Sequence, residues 1–103
     1  MANVYEIPLV NNPQMFSITL SNVDYNILIV WNYLAQIWVI DFYDANQVAI
    51  LTGVPLITGV DLLLPYTNLN FGGKLFAETD HDLTTPPTFD NLGITGHLYW
   101  VTP

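Results

Sequence analysis

Apolar and polar positions along the chain alternate mostly with the period of two that marks half-buried strands, not with the longer period of a helix. Val4–Leu9, Gln14–Leu20, Asp24–Asn32, Gln36–Asp44 and Gln47–Thr52 are runs rich in β-branched and aromatic residues, separated by short polar pairs or proline-bearing breaks. In the third run Tyr25, Ile27, Ile29 and Trp31 share one face and Leu28 and Val30 the other. A strand apolar on both faces belongs in the middle of a sheet or under a partner. In the fourth run Trp38, Ile40 and Phe42 face one way, and Ile37, Val39, Asp41 and Tyr43 face the other.

The breaks have turn chemistry at Ser21-Asn22, Asn32 to Ala35 and Asp44-Ala45-Asn46, and their shortness makes consecutive strands antiparallel. The expected core is therefore a meander. The echo Thr52-Gly53-Val54 and Thr58-Gly59-Val60 around Pro55 predicts a doubled turn or a bulged strand. Asp61–Leu64 is the one helix-like stretch, and Pro65 is expected to end it after a turn. Beyond it the pattern predicts a glycine turn at Phe71-Gly72-Gly73, a strand Lys74–Thr79, an acidic loop around Asp80-His81-Asp82, and a final strand Ile94–Thr102. The fold class is all-β: a small antiparallel barrel or sandwich built on a meander, with at most one short helical turn, in a single domain over residues 1–103.

Hydropathy changes the picture in one respect. The chain is 51% hydrophobic, and a domain of this size leaves a large share of its surface outside. Part of the apolar material is therefore expected to face another protein. The most apolar stretch, Ile27 to Tyr43, is interrupted by Asn32, Gln36 and Asp41 and is too short to span a membrane, so two strands and a turn explain it. Met1 to Val10 has no basic segment and does not read as a signal peptide, so the protein is expected to act where it is made.

Charge removes further classes. Nine acidic residues oppose the single base Lys74, for a net charge of −8, so the chain has no means of neutralising nucleic-acid phosphates or an anionic membrane. The absence of cysteine excludes disulfides, thiolate metal sites and cysteine nucleophiles. Glu78-Thr79-Asp80-His81-Asp82 gathers oxygen donors and one imidazole but completes neither a calcium nor a zinc pattern. It reads as a solvated acidic loop, with a cation site as the alternative. His97 sits in an apolar strand as a packed or interface histidine, Ser17 and Ser21 lack a nucleophile-elbow context, and Asp41 reads as a carboxylate on a solvent or edge face. Phe71-Gly72-Gly73-Lys74 lacks the spacing of a phosphate loop. Trp31, Trp38 and Trp100 read as core or cross-strand residues, or alternatively as the platform of a small ligand- or carbohydrate-binding module. No catalytic, cofactor or metal residues are assigned.

The order of short motifs adds a resemblance. Ile7-Pro8-Leu9, Phe16-Ser17-Ile18-Thr19-Leu20, Trp31-Asn32, Trp38 through Asp41 to Tyr43-Asp44, Leu51-Thr52-Gly53-Val54-Pro55-Leu56 and Thr58-Gly59 resemble the small baseplate plug proteins of contractile-tailed bacteriophages. Asp61-Leu62-Leu63, Leu69-Asn70-Phe71-Gly72-Gly73, Asp90-Asn91-Leu92-Gly93 and His97-Leu98-Tyr99 continue it along nearly the whole chain. The chain departs from the family pattern after Tyr43-Asp44, where Asn46-Gln47 stands in place of an expected glycine. The resemblance implies a non-catalytic virion protein, made in the host cytoplasm, that closes the central channel of the tail baseplate. Its implied partners are the hub or tube initiator, the central spike and the tape measure protein, with several copies following the hub symmetry. Phe71, Phe76, Tyr99 and Trp100, in the two late strands and the glycine turn, are the expected contact residues.

Overall fold

A computed structural model describes residues 3–69, 71–82 and 84–102. Asn70 of the glycine-turn motif, and Met1 and Ala2 of the N-terminal stretch, lie outside the described residues. Among the described residues seven strands form: β1 (Asn3–Glu6), β2 (Gln14–Leu20), β3 (Val23–Asn32), β4 (Ile37–Asp44), β5 (Ala49–Pro55), β6 (Lys74–Thr79) and β7 (Gly96–Thr102). β2-β3-β4-β5 make a four-stranded antiparallel meander, and β1-β7-β6 a second, three-stranded antiparallel sheet. The fold is all-β and sandwich-like, and the two sheets do not close into a barrel.

The alternation seen in sequence becomes the core. Tyr25, Ile27 and Ile29 of β3 and Trp38, Ile40 and Phe42 of β4 are buried from one sheet, Leu75, Ala77, Leu98 and Trp100 from the other, all in one cluster. Ile7, Leu56, Leu62, Leu63, Phe71 and Leu92 come in from the connections. β3 lies inside its sheet, as its two apolar faces require, and Leu28 and Val30 are half-buried on the outer face.

Several boundaries move for local reasons. The first strand ends at Glu6, before Pro8, and pairs with β7 and not with β2. The fifth runs on to Pro55 through a bulge. Gly53 sits there at φ 76, and its N–H donates to Asp41 Oδ1 (2.7 Å). Asp41 is thus on the outer face, where it fastens the bulge. The expected helical turn at Asp61–Leu64 is displaced to a 3₁₀ segment, Leu64–Leu69, broken at Tyr66. Pro65 starts this segment where it was expected to stop one, because a helical first turn has no use for the missing N–H. Asp61 remains the anchor: its Oδ1 accepts from the N–H groups of Leu63 and Leu75, each at 3.0 Å, and so ties the segment to β6. After Asp44, in the turn where a glycine was expected, Gln47 takes the left-handed conformation at φ 66. Asp44 Oδ1 stabilises the turn by accepting from the N–H groups of Asn46 (2.8 Å) and Val48 (3.0 Å).

Candidate functional site

Two exposed regions stand out once the core is accounted for. The first is the outer face of the three-stranded sheet. Phe76 and Tyr99 are directly opposed in the β6–β7 ladder, and with Val4, Val101 and Glu78 they line a shallow groove. This face is charged at one end. His97 Nδ1 lies 3.1 Å from Glu6 Oε2 and its Nε2 lies 3.1 Å from Asp80 Oδ2. Only the imidazolium can donate to both carboxylates at once. The hydrogen bond to Asp80 raises the His97 pKa most, burial opposes it, and Glu6 adds to the rise. Tyr99, 5.9 Å from the imidazole ring, is raised first by burial and then by the surrounding Glu6, Glu78 and Asp80.

The second region is the tip of the β3–β4 hairpin. Asn32 Oδ1 accepts from the N–H groups of Leu34 (3.1 Å) and Ala35 (3.0 Å), and Gln36 Nε2 donates to Tyr33 O (2.7 Å). The turn is therefore braced from both sides, yet Tyr33 is 73% and Leu34 99% exposed. Isolated apolar residues on a surface are ordinary. A fully exposed leucine beside an exposed tyrosine, on a braced projection, is a presented side chain.

The expected contact residues separate into two pairs. Phe76 and Tyr99 come together on the outer face. Phe71 and Trp100 do not present the expected exposed face. Phe71 packs against Tyr25 (5.7 Å) and Phe42 (5.1 Å), and Trp100 is 1% exposed. Alternation accounts for this, since Leu98 and Trp100 point inward and His97, Tyr99 and Val101 outward. Gly73 permits the burial: a Cβ there would stand 2.5 Å from Trp100 Cζ2. Tyr33 and Leu34 were missed, although two large apolar residues inside an Asn-initiated turn are a legible signal of exposure.

The chemical candidates also find their places. Asp80 turns to His97, while Asp82 accepts from Thr84 N (3.2 Å), Thr84 Oγ1 (3.0 Å) and Thr85 Oγ1 (2.6 Å). These hydrogen bonds, that of Thr85 foremost, lower the Asp82 pKa. The two carboxylates therefore serve different neighbours, and among the described residues no group of three or more His, Asp or Glu side chains is arranged to hold a metal ion. Buried Trp38 and half-buried Trp31 and Phe89 form an aromatic triad at the margin of the core, with Trp38 and Phe89 stacked at 5.5 Å and Trp38 Nε1 donating to Thr88 O (2.8 Å). The stack on Phe89 uses a ring face of Trp38 that a sugar platform would need. Among the described residues no helix is long and apolar enough to cross a membrane.

Fold and surface define a small acidic β-sandwich with large apolar side chains exposed on its surface. A comparison with known families makes the class specific. The family described as "Cyanophage baseplate Pam3 plug gp18" matches residues 4–103, and the chain belongs to this phage baseplate plug family. No curated protein matches the chain.

Proposed function

We propose that this protein closes the axial channel of a contractile phage tail at the hub and spike, where the tube begins, and meets the end of the tape measure protein there. It is a structural part without catalytic activity, acting as one domain over residues 1–103. Several copies follow the hub symmetry in the virion after synthesis in the host cytoplasm. The observation that carries this reading is the extent of the family match: it spans residues 4–103, so the plug role is that of the whole chain. The surface supports it. The hairpin tip offers Leu34 and Tyr33, the groove offers Phe76 and Tyr99, and the net charge of −8 keeps such a plug from holding DNA when the channel opens.

The test is a phage lacking this gene, complemented from a plasmid, with purified tails imaged by cryo-electron microscopy. Tails made without the chain are expected to lack axial density between hub and spike and to lose infectivity, both restored by the wild-type copy. Tails that keep this density and infect normally without the chain would overturn the reading.

A further inference from the structure

The sandwich has four outer strand edges, and they are not equally protected. Edge strands invite pairing with other chains, and folded proteins blunt them with bulges, prolines, charges or covering segments. β5 has the Gly53 bulge and Pro55. β6 is covered: Thr58 bridges to Ala77, and the Leu62 N–H donates to Leu75 O (2.8 Å). β1 is only four residues long and carries Glu6. Among the described residues β2 has none of these devices. Its seven residues, Gln14–Leu20, include no charge, proline or glycine, and they stay in register with β3 throughout.

The bare edge of β2 faces a space. β1 and β2 are terminal strands of different sheets, and a cleft of about 340 Å³ opens between them. Glu6 and Ile7 stand on one side, Ile18, Thr19 and Leu20 on the other, and Trp100 of β7 also lines it. Trp100 Nε1 is buried and has no hydrogen-bond partner among the described residues. Native proteins rarely leave such a donor unused, and each case requires an explanation. An unprotected edge and an open cleft thus coincide, beside a tryptophan whose buried indole donor is unpaired among the described residues.

We infer that this cleft accepts an extended segment of a neighbouring baseplate protein, which adds to the free edge of β2 as a strand and completes the wall between the sheets. Strand addition draws its affinity from main-chain hydrogen bonds and its specificity from alternate side chains. The incoming backbone pairs with the outward-facing N–H and C=O groups of β2, every second residue of the strand. Its alternate side chains are apolar, to cover Ile7, Ile18 and Leu20. The charge of the segment follows from the lips. No described residue lining the cleft is basic, Glu6 stands on one side, and on the other Thr19 Oγ1 donates to Asp24 Oδ1 (2.5 Å). The segment is therefore neutral or basic. The inference rests on the plug reading only in that the donor of the strand is a baseplate protein.

The full chain is to be co-expressed with the hub, spike and tape measure proteins of the same phage, and amide hydrogen exchange in the purified complex compared with that of the free chain. The outward-facing amides within Met15–Leu20, every second one of the strand, are expected to slow by roughly tenfold or more, as formation of a stable ladder requires. Ile18→Lys, which puts a charge against the incoming segment, is expected to weaken the complex roughly thirty-fold, the effect of a central anchor. If that variant does not fold, the exchange pattern of the wild-type complex decides alone. A complex that forms while Met15–Leu20 exchange as in the free chain overturns the strand-acceptor inference and leaves the plug reading standing. Protection of β2 in the free chain that rises with its own concentration overturns it in favour of a second copy. Failure to bind any of the three proteins overturns both readings.

Discussion

The two sheets are built from different kinds of information. In the meander every strand pairs with its neighbour in sequence, across turns as short as Ser21-Asn22, and β3 and β4 bury Tyr25, Ile27, Ile29, Trp38, Ile40 and Phe42 on their shared inner face. In the three-stranded sheet the central pairing joins the ends of the chain, Asn3 opposite Thr102 and Glu6 opposite Tyr99. Local hairpins close small loops at low entropic cost, while β1–β7 pairing must close nearly the whole chain. The meander is thus the scaffold, and the three-stranded sheet is assembled upon it. The titratable cluster of Glu6, Asp80 and His97 lies on the second sheet and links β1, β7 and the acidic loop, where closure is least local.

The largest expected effect tests this division at the two buried tryptophans. Trp38→Ala in the meander and Trp100→Ala in the second sheet should each cost about 3–5 kcal/mol, the range for truncating buried aromatic side chains. Phenylalanine separates them. Trp38→Phe strands the Thr88 carbonyl that Nε1 now satisfies, whereas Trp100→Phe removes a donor without a partner among the described residues. Trp38→Phe should therefore be the more destabilising by about 1 kcal/mol in chemical denaturation of the free chain. Equal costs would mean that the Trp100 donor is satisfied after all.

The link between the scaffold's trailing segment and β6 should be next in size. Asp61 accepts from two main-chain N–H groups that are far apart in sequence, those of Leu63 and Leu75. Asp61→Ala leaves both without their acceptor, for an expected loss of about 1–3 kcal/mol. Asp61→Asn keeps an acceptor oxygen and should recover part of it. A thermal melt in which the alanine variant matches wild type would show that the 3₁₀ segment does not hold β6.

What the sequence disclosed divides along the same line. Period-two alternation and turn residues fix which strands exist and which consecutive ones pair, so β2 to β4 were legible to within a residue, while β5, expected at Gln47–Thr52, is shifted by its bulge to Ala49–Pro55. The same alternation made Val4–Leu9 a strand but could not choose its partner, because no turn chemistry records a pairing between chain ends. Pro65 misled through the generality of its rule: it stops a helix from inside and starts one from the first turn, and only the anchor at Asp61 decides which. Among the contact residues, neighbouring Tyr99 and Trp100 cannot both face outward from one strand, and this was visible in the alternation. That Phe71 would fill the space between Tyr25 and Phe42 was not, since a loop residue has no periodicity to place it.

A smaller effect separates the sheets by pH. The folded His97 pKa is raised above its unfolded value of about 6.5. Its contribution to stability is therefore fully present below about pH 6.5 and is lost as pH rises through the higher folded value. Glu6 and Asp80 pair with the ring, and Glu78 and Tyr99 are its remaining titratable neighbours. The expected loss is no more than about 1 kcal/mol, because both carboxylates are about half exposed. His97→Gln should flatten stability measured between pH 6 and 9, a range of about three units around the histidine value. Wild-type stability that rises with pH across this window would contradict the pairing.

The smallest expected effect on the folded chain, and the most telling for assembly, lies at the tip of the meander. Leu34 is 99% exposed and buries nothing in the free protein. The turn beneath it is held by Asn32 and Gln36, so Leu34→Ser should leave stability within about 0.5 kcal/mol of wild type, as surface substitutions usually do. A presented apolar side chain that fills a pocket in a partner is worth far more than that: central anchors lose about 2 kcal/mol or more on truncation. Leu34→Ser should thus fold normally, show less self-association at high concentration, and enter baseplates poorly in the complementation assay. Asn32→Ala is the matching control. It loosens the turn but keeps the leucine, so its incorporation should fall less than that of Leu34→Ser if the side chain is the contact, and more if the shape of the braced turn is what the partner reads.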